Sequence, residues 1–153
     1  MMPLDDTDRA IVLALVRDAA QSTAALGKRL GLSQPATWRR IRRLEEAGML
    51  KGRRLRLDAE KLGFGVTVFL GVKLATKGRV SLEDFERAVI AIPEVQTVEH
   101  VLGLYDYRLR VVARDLADFE RVLRRRIMTL PGAGQVEANV LLSEERLPGP
   151  LRG

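Results

Sequence analysis

The chain has 153 residues, 46% hydrophobic and 30% charged, so it can bury one or two small cores and does not have the composition of a disordered protein. It contains no cysteine, which excludes disulfides and thiolate metal sites, and its net charge is +6. The N-terminus lacks a basic region followed by an apolar run, and the longest apolar stretches fall far short of about 18 residues. We therefore expect a cytoplasmic protein of two compact units, without a membrane partner.

The first part of the chain predicts two consecutive helices. Residues 5 to 20 form the first, with Ile11 and Leu15 on its buried side and acidic residues near its positive N-terminal end. In the second helix, Leu26 and Leu30 lie four residues apart and therefore share one face. We expect the first helix to brace the third, which carries the outward polar surface.

A tight turn, Gly31-Leu32-Ser33, joins the second helix to a third. Gly31 can adopt the positive φ that ends a helix, and Ser33 can cap the next one. The inward stripe of the third helix consists of Thr37, Ile41 and Leu44. Its outward and lateral side chains can offer amide and guanidinium groups to a DNA major groove. The pattern predicts a helix-turn-helix.

A basic segment comes next, in which Met49 to Leu57 changes from helical spacing to alternation and predicts a hairpin wing turning at Gly52. Between Lys28 and Arg56 there are ten basic and two acidic residues, a net charge of +8. Such concentration suits phosphate binding, although a solvated helix face is the alternative. Beside a helix-turn-helix we favour double-stranded DNA as the partner. The residues predicted to contact it are Ser33, Gln34, Pro35, Trp38, Arg39, Arg42, Arg43, Arg53 and Arg54.

Two residues of the third helix have alternative roles. Trp38 lies on its shoulder and can either pack against the first helix or contact a base or sugar. Arg40 falls nearer the core side than Arg39, so it can pair with an acidic residue such as Asp8 instead of DNA. Both alternatives stay open from the sequence.

A second unit begins after residues 58 to 65, which carry two glycines, so we place the domains at residues 1–62 and 63–153. Apolar residues alternate strictly from Val66 to Leu74, which predicts a half-buried strand. A helix capped within Ser81 to Asp84 and ended by Pro93 comes next. Two strands, a helix and a last strand then lie at Val95 to Leu102, Tyr107 to Val112, Asp115 to Thr129 and Val136 to Ser143.

This order of strand, helix, strand, strand, helix, strand predicts a ferredoxin-like α+β fold. In that fold two helices cover one face of a four-stranded antiparallel sheet. The uncovered face carries Phe69, a large apolar residue that needs a partner. Self-association is the expected answer.

Four motifs occur in order along nearly the whole chain: Leu4-Asp5-x-x-Asp8-x-x-Ile11, LGKRLGLS at residues 26–33, Arg40-Ile41-x-x-Leu44-Glu45-x-x-Gly48, and Gly103-x-x-Asp106-Tyr107. Their order and spacing together resemble the leucine-responsive/AsnC (Lrp/AsnC) family of bacterial and archaeal transcription regulators. Gly27 departs from the family, which usually has alanine there, and Arg53 departs where an aromatic residue is common. The resemblance implies a winged helix-turn-helix domain, a homodimer that can assemble to an octamer, and an amino acid effector between dimers.

The turn from Gly103 to Tyr107 is either a simple hairpin corner or part of a ligand site. Glycine there exposes backbone groups, Asp106 can pair with an ammonium, and Tyr105 supplies a ring and a hydroxyl. The resemblance implies an effector pocket, with Leu104 as a departure because effector-binding relatives often carry a polar residue there. The implied pocket residues are Val101, Leu102, Gly103, Tyr105 and Asp106.

No catalytic motif, cofactor or metal site is predicted, since the sequence shows no phosphate-cradling glycine loop, metal-ligand cluster or nucleophile beside a base. The enzymatic alternative is a relative of the siroheme decarboxylases, which share this two-domain plan but carry histidine-rich and aromatic motifs absent here. A stand-alone interaction module would not need a full reading helix. His100, the only histidine, is expected to be structural. Arg124 to Arg126 are expected to form a solvated face, compensated by Asp118 and Glu120.

Overall fold

The computed structural model describes residues 4–75 and 78–145 and divides them into two compact units: residues 4–56 together with Glu145, and Leu57–Glu144. Each unit has its own hydrophobic core. The division lies between Arg56 and Leu57, whereas the glycines of the sequence suggest one near residue 62. In the described part of the chain, no helix combines the length and the hydrophobicity needed to cross a bilayer.

The first unit consists of three helices: α1 (Asp6–Arg17), α2 (Thr23–Leu30) and α3 (Gln34–Glu46). α1 begins at the predicted place, where the Asp5 carboxylate accepts from the Asp8 backbone N–H at 2.7 Å. It ends at Arg17 rather than at the predicted Ala20. There the Gln21 side-chain amide donates to the Ala14 carbonyl at 2.7 Å, which satisfies a helix-terminal acceptor without a further turn.

The helix-turn-helix is confirmed in its details. Gly31 has φ 68°, the left-handed conformation that ends α2, and the Ser33 hydroxyl caps α3 by accepting from the Ala36 N–H at 3.3 Å. A Cβ on Gly27 would lie 2.9 Å from the Leu32 carbonyl oxygen, so glycine permits the close approach of α2 and the turn. The buried core of this unit comprises Ile11, Val12, Ala14, Leu26, Ile41 and Leu44.

The predicted hairpin wing is wrong for this chain as described. Gly52 does take a positive φ, 98°, but residues 50–58 form no strand. The reason lies in burial: every side chain from Lys51 to Asp58 is exposed, with Leu55 at 91%. Because nothing covers its apolar face, a two-stranded ribbon there lacks the packing that isolated hairpins need.

The second unit contains the predicted order of elements: β1 (Val66–Leu74), α4 (Arg79–Ile90), β2 (Val95–His100), β3 (Tyr107–Ala113), α5 (Leu116–Val122) and β4 (Ala133–Val140). A π-helical turn, Leu123–Ile127, continues α5. All strand pairs are antiparallel and the sheet order is β2-β3-β1-β4, which confirms the ferredoxin-like fold.

Several boundaries differ from the prediction: β2 ends at His100 instead of Leu102, β4 ends at Val140 instead of Ser143, and the starts of α4 and β4 also differ. α4 starts at Arg79, because the Leu82 N–H already bonds the Gly78 carbonyl at 3.1 Å; no side chain caps this helix, and Ser81 lies within its first turn. β4 starts at Ala133, since pairing with β1 continues through a register shift at Leu74. The start of α4 is thus set by a local backbone hydrogen bond, and that of β4 by pairing with a distant strand.

Candidate nucleic-acid interface

The outward surface of α3 begins with exposed residues at its N-terminal end. Ser33, Gln34 and Pro35 are exposed, and the first turn of α3 contains no acidic residue, so its N–H groups and helix dipole favour an anion there. The Trp38 side chain is 55% exposed, so it does not bury itself against α1. The front of α3 therefore presents amide, aromatic and backbone donor groups to solvent.

The two outward arginines of α3 differ in their surroundings. Arg39 makes no side-chain hydrogen bond or ion pair within residues 4–75 and 78–145. Arg42 is held: its guanidinium lies 5.8 Å from the centroid of the Trp38 ring and pairs with Glu45 at 3.5 Å and Glu46 at 3.7 Å. Arg39 is thus an uncompensated cation, and Arg42 has a preset orientation.

Arg40 pairs with acidic residues of α1, which confirms the alternative that the sequence allows. Its guanidinium donates to Asp8 at 2.8 Å and to Asp5 at 2.7 Å. The hydrogen bond from Arg40 and the backbone N–H of Asp8 lower the pKa of Asp5, and the same pairing raises the pKa of Arg40. Arg43, predicted to contact DNA, also donates to Asp8, at 2.6 Å.

The segment after α3 carries free positive charge. The side chains of Lys51, Arg53, Arg54 and Arg56 are exposed and make no ion pair with any residue that the structure describes. Cations without acidic partners attract a polyanion more strongly than compensated ones. Arg53 and Arg54 therefore suit phosphate contacts without the hairpin.

The loop between β2 and β3, residues 101–106, lies against the C-terminal end of β1. The Asp106 carboxylate accepts from the Leu74 N–H at 2.8 Å, its own N–H donates to the Val72 carbonyl at 2.9 Å, and its carbonyl accepts from the Val101 N–H at 3.0 Å. Asp106 is therefore a structural residue of the loop whatever else it binds. Leu102 and Leu104 project into solvent, and a Cβ on Gly103 would meet nothing within 4 Å.

Tyr105 turns back from this loop onto the uncovered face of the sheet. Its ring lies over Gly71, and its hydroxyl donates to the Glu137 carboxylate. This bond raises the pKa of Tyr105 and lowers the pKa of Glu137. Of the predicted effector residues, Tyr105 and Asp106 are thus fixed on the sheet, whereas Leu102 and Gly103 stay open.

The same sheet face carries Phe69 and charged residues. The Arg110 guanidinium lies 5.4 Å from the centroid of the Phe69 ring and pairs with Glu144 at 2.9 Å. α4 and α5 pack on the opposite face, where the core residues Phe85 and Phe119 lie. The face with Phe69 is left for another partner.

The structure also locates His100 and the basic cluster at Arg124 to Arg126. The His100 ring stacks on Tyr107 with centroids 4.8 Å apart, and the described ranges hold no group of three or more potential metal ligands. Arg124 pairs with Glu120, as predicted, and Arg126 with Glu94 at 3.0 Å. Asp118, the other residue expected to compensate this cluster, pairs with Arg114 and Arg121 instead, and Arg125 makes no ion pair with a described residue.

The sequence analysis missed two arrangements of side chains, one in each unit. Asp5 joins Asp8 in binding Arg40; the matching spacing of Asp5 and Asp8, three residues apart like Arg40 and Arg43, is the signal that could have revealed it. Gly71 accommodates Tyr105, as a glycine inside a strand often marks a close approach.

Both parts of the chain are similar to known proteins. Residues 4–45 match the family model of the AsnC-type helix-turn-helix domain, and residues 67–148 match that of the Lrp/AsnC ligand binding domain. The Bkd operon transcriptional regulator of Pseudomonas aeruginosa is 35% identical over 147 residues, 96% of each chain. Transcriptional regulator AzlB of Bacillus subtilis is 32% identical over 143 residues, 94% of this chain and 91% of the other. The solved structure of transcriptional regulator NMB0573 with L-Met, from Neisseria meningitidis, aligns with TM-score 0.88 at 26% identity and covers 96% of this chain and 95% of that chain.

Proposed function

Because the chain belongs to the Lrp/AsnC family of transcriptional regulators, we propose that α3 reads operator DNA in the major groove while residues 51–56 hold backbone phosphates. The observation that carries this assignment is the exposed positive charge of Arg39, Arg53 and Arg54, which has no acidic partner among the described residues. Trp38 and Arg42 add an aromatic surface and an oriented guanidinium beside it. Such groups supply both base readout and phosphate affinity.

Truncation of single arginines separates the two kinds of contact. Arg39→Ala should weaken binding by about 1–3 kcal/mol and relax sequence preference, since a base contact is lost. Arg54→Ala should weaken binding to all duplexes alike and reduce the salt slope by about one, since a phosphate contact is lost. Arg124→Ala, a compensated arginine of the second unit, is the matched control. Unchanged duplex affinity in both variants would contradict the assignment.

We propose further that the second units pair through the sheet face that carries Phe69. A homodimer would present two α3 helices to successive major grooves, about 34 Å apart, at a near-palindromic site. Phe69→Glu should lower both the molar mass measured by sedimentation and the affinity for the operator. Arg87 is exposed on α4, on the helix-covered side of the sheet, so Arg87→Glu should change neither. Dimers that persist in Phe69→Glu with full affinity would refute this pairing.

The effector is the third part of the proposal: a small amino acid or related metabolite binds at residues 101–106, between dimers that can assemble to an octamer. Support comes from the L-Met complex of the Neisseria relative and from the exposure of Leu102 and Leu104, which a second copy can cover. We assign the ammonium to Asp106 or to nearby backbone carbonyls, and the carboxylate to backbone N–H groups.

An effector that bridges dimers must bind the assembled form more tightly, and so it shifts the population of that form. Sedimentation and thermal melting across a panel of amino acids test this directly. At least one amino acid should raise both the assembled fraction and the melting temperature. If none does, Leu104 marks this chain as a member without an amino acid effector.

The enzymatic alternative, a siroheme decarboxylase-like protein, has no observation in its favour, since the Pseudomonas and Bacillus relatives are named as regulators. Such an enzyme would show tetrapyrrole absorbance after incubation with a tetrapyrrole substrate. We place the action of the protein in the cytoplasm, where operator DNA is accessible. Salt-dependent retention on duplex DNA without tetrapyrrole binding is the expected outcome.

A further inference from the structure

A buried carboxylate of α1 bonds two arginines of α3, the helix proposed to read DNA. The Asp8 side chain, on α1, is only 1% exposed and accepts two charge-assisted hydrogen bonds from α3. One oxygen takes the Arg40 guanidinium at 2.8 Å, and the other takes the Arg43 guanidinium at 2.6 Å. A single α1 residue therefore fixes two arginines that lie one helical turn apart on α3.

The two arginines are not equivalent. Arg40 is 29% exposed and is shared between Asp8 and Asp5, so two carboxylates compensate it. Arg43 is 49% exposed and uses one terminal nitrogen toward Asp8, its only side-chain partner in the described residues. A guanidinium has five N–H donors, so Arg43 keeps donors for a second anion.

We propose that Asp8 is a positioning residue, which holds Arg43 in the orientation needed to bind a DNA backbone phosphate at the side of α3. The inference rests on the proposed DNA-binding role of α3 and assigns Arg43, which was predicted only to contact DNA, to a backbone phosphate. An arginine whose rotamer is fixed in the free protein loses less conformational freedom on binding. A planar guanidinium can also bridge a carboxylate and a phosphate.

A double-mutant cycle on DNA affinity isolates this effect from a general effect on folding. Asp8→Glu keeps the charge but moves the carboxylate by one methylene, so it should lower the affinity for a selected duplex about tenfold and reduce the salt slope by up to about one, because the phosphate contact of Arg43 is weakened. In an Arg43→Ala background the same change should alter affinity less than about twofold, because the positioned side chain is gone.

The matched cycle replaces Arg43→Ala with Arg40→Ala. A cycle on the urea midpoint of unfolding should show coupling between Asp8 and Arg40. The same cycle on DNA affinity should show none, because Arg40 is compensated by two carboxylates. Equal coupling of Asp8 to both arginines in DNA affinity would show a purely structural role and overturn the proposal. An increase in affinity on Asp8→Glu would also overturn it, because Asp8 would then withhold Arg43 from DNA.

The parent chain separates this failure from failure of the proposed function. If the parent shows no salt-dependent duplex binding, the DNA-binding role of α3 is wrong and the cycle has no basis. If the parent binds its duplex and Asp8→Glu leaves the affinity unchanged while the chain stays folded by circular dichroism, only the positioning role fails. Full coupling to Arg43, with retained binding by the parent, supports both.

Discussion

Gly71→Ala is the substitution that most directly tests how the loop at residues 101–106 is fixed to the sheet. A Cβ at this position would lie 2.6 Å from Cδ2 and 2.7 Å from Cγ of the Tyr105 ring, closer than atoms can approach. Gly71 pairs with Glu137 across β1 and β4, so the ring must leave the place where its hydroxyl donates to that carboxylate. One methyl group therefore displaces an entire side chain.

Three contributions, not all of the same sign, decide how far Gly71→Ala changes the free energy of unfolding. Overpacking of this kind costs about 1–3 kcal/mol. The lost hydrogen bond from Tyr105 to Glu137 adds little to this cost, because both partners are at the surface. Replacing glycine in a strand by alanine returns about 0.5–1 kcal/mol of backbone entropy. The free energy of unfolding should fall by about 1–2 kcal/mol, and the melting temperature by several degrees, on the order of 5–10 °C.

Urea denaturation of the parent, the two single variants and the double variant measures the coupling. In a Tyr105→Ala background, Gly71→Ala should be neutral or slightly stabilising, because nothing remains for the Cβ to meet. Tyr105→Phe is the control that keeps the ring and removes only the hydroxyl, so the cost of Gly71→Ala should persist there. An equal loss with and without the Tyr105 ring would refute the steric argument.

Three shorter predictions concern other parts of the chain. Gly27→Ala should destabilise the first unit in urea unfolding, because the added Cβ would lie 2.9 Å from the Leu32 carbonyl oxygen. This clash should outweigh the higher helix propensity of alanine, which is worth about 1 kcal/mol. A gain in stability would count against the contact. The pKa values of Tyr105 and Tyr107 are both raised, the first by the bond to Glu137 and the second chiefly by burial, so their contribution to stability is complete below the ordinary tyrosine pKa of 10.0 and is lost as pH rises through the folded pKa. Phenolate absorbance should therefore stay low at pH 10 in the native chain and appear with alkaline unfolding, whereas half titration at pH 10 would disagree. Trp38 is the only tryptophan, so duplex DNA should change its fluorescence, and an unchanged spectrum at saturation would remove Trp38 from the interface.

Local sequence patterns predicted the elements whose stability is decided locally. The strict alternation from Val66 to Leu74 gave the bounds of β1, because a strand buried on one face must alternate. Gly31 and Ser33 located the turn of the helix-turn-helix, because a left-handed residue and an N-cap are chemically specific. The exposed outward residues of α3 could be predicted from the inward stripe at Thr37, Ile41 and Leu44.

The features that failed depend on partners far away in sequence. A hairpin at residues 50–58 needs a covered apolar face, which the described unit does not provide. The start of α4 is a local exception, because the Leu82 N–H bonds the Gly78 carbonyl four residues earlier and no side chain caps the helix at Ser81. The bond from Leu74 to the Asp106 carboxylate forms only when β1 and the loop meet, so the pattern around Asp106 could not reveal it.

Sequence-selective binding to duplex DNA is the central claim, and one competition experiment tests it most directly. Duplexes selected from genomic fragments by the full chain are titrated against a scrambled duplex at physiological salt, with the parent and Arg39→Ala. The parent should prefer the selected duplex by about 10³-fold or more, and Arg39→Ala should lose part of that ratio. Equal affinity of the parent for selected and scrambled duplexes would contradict the account.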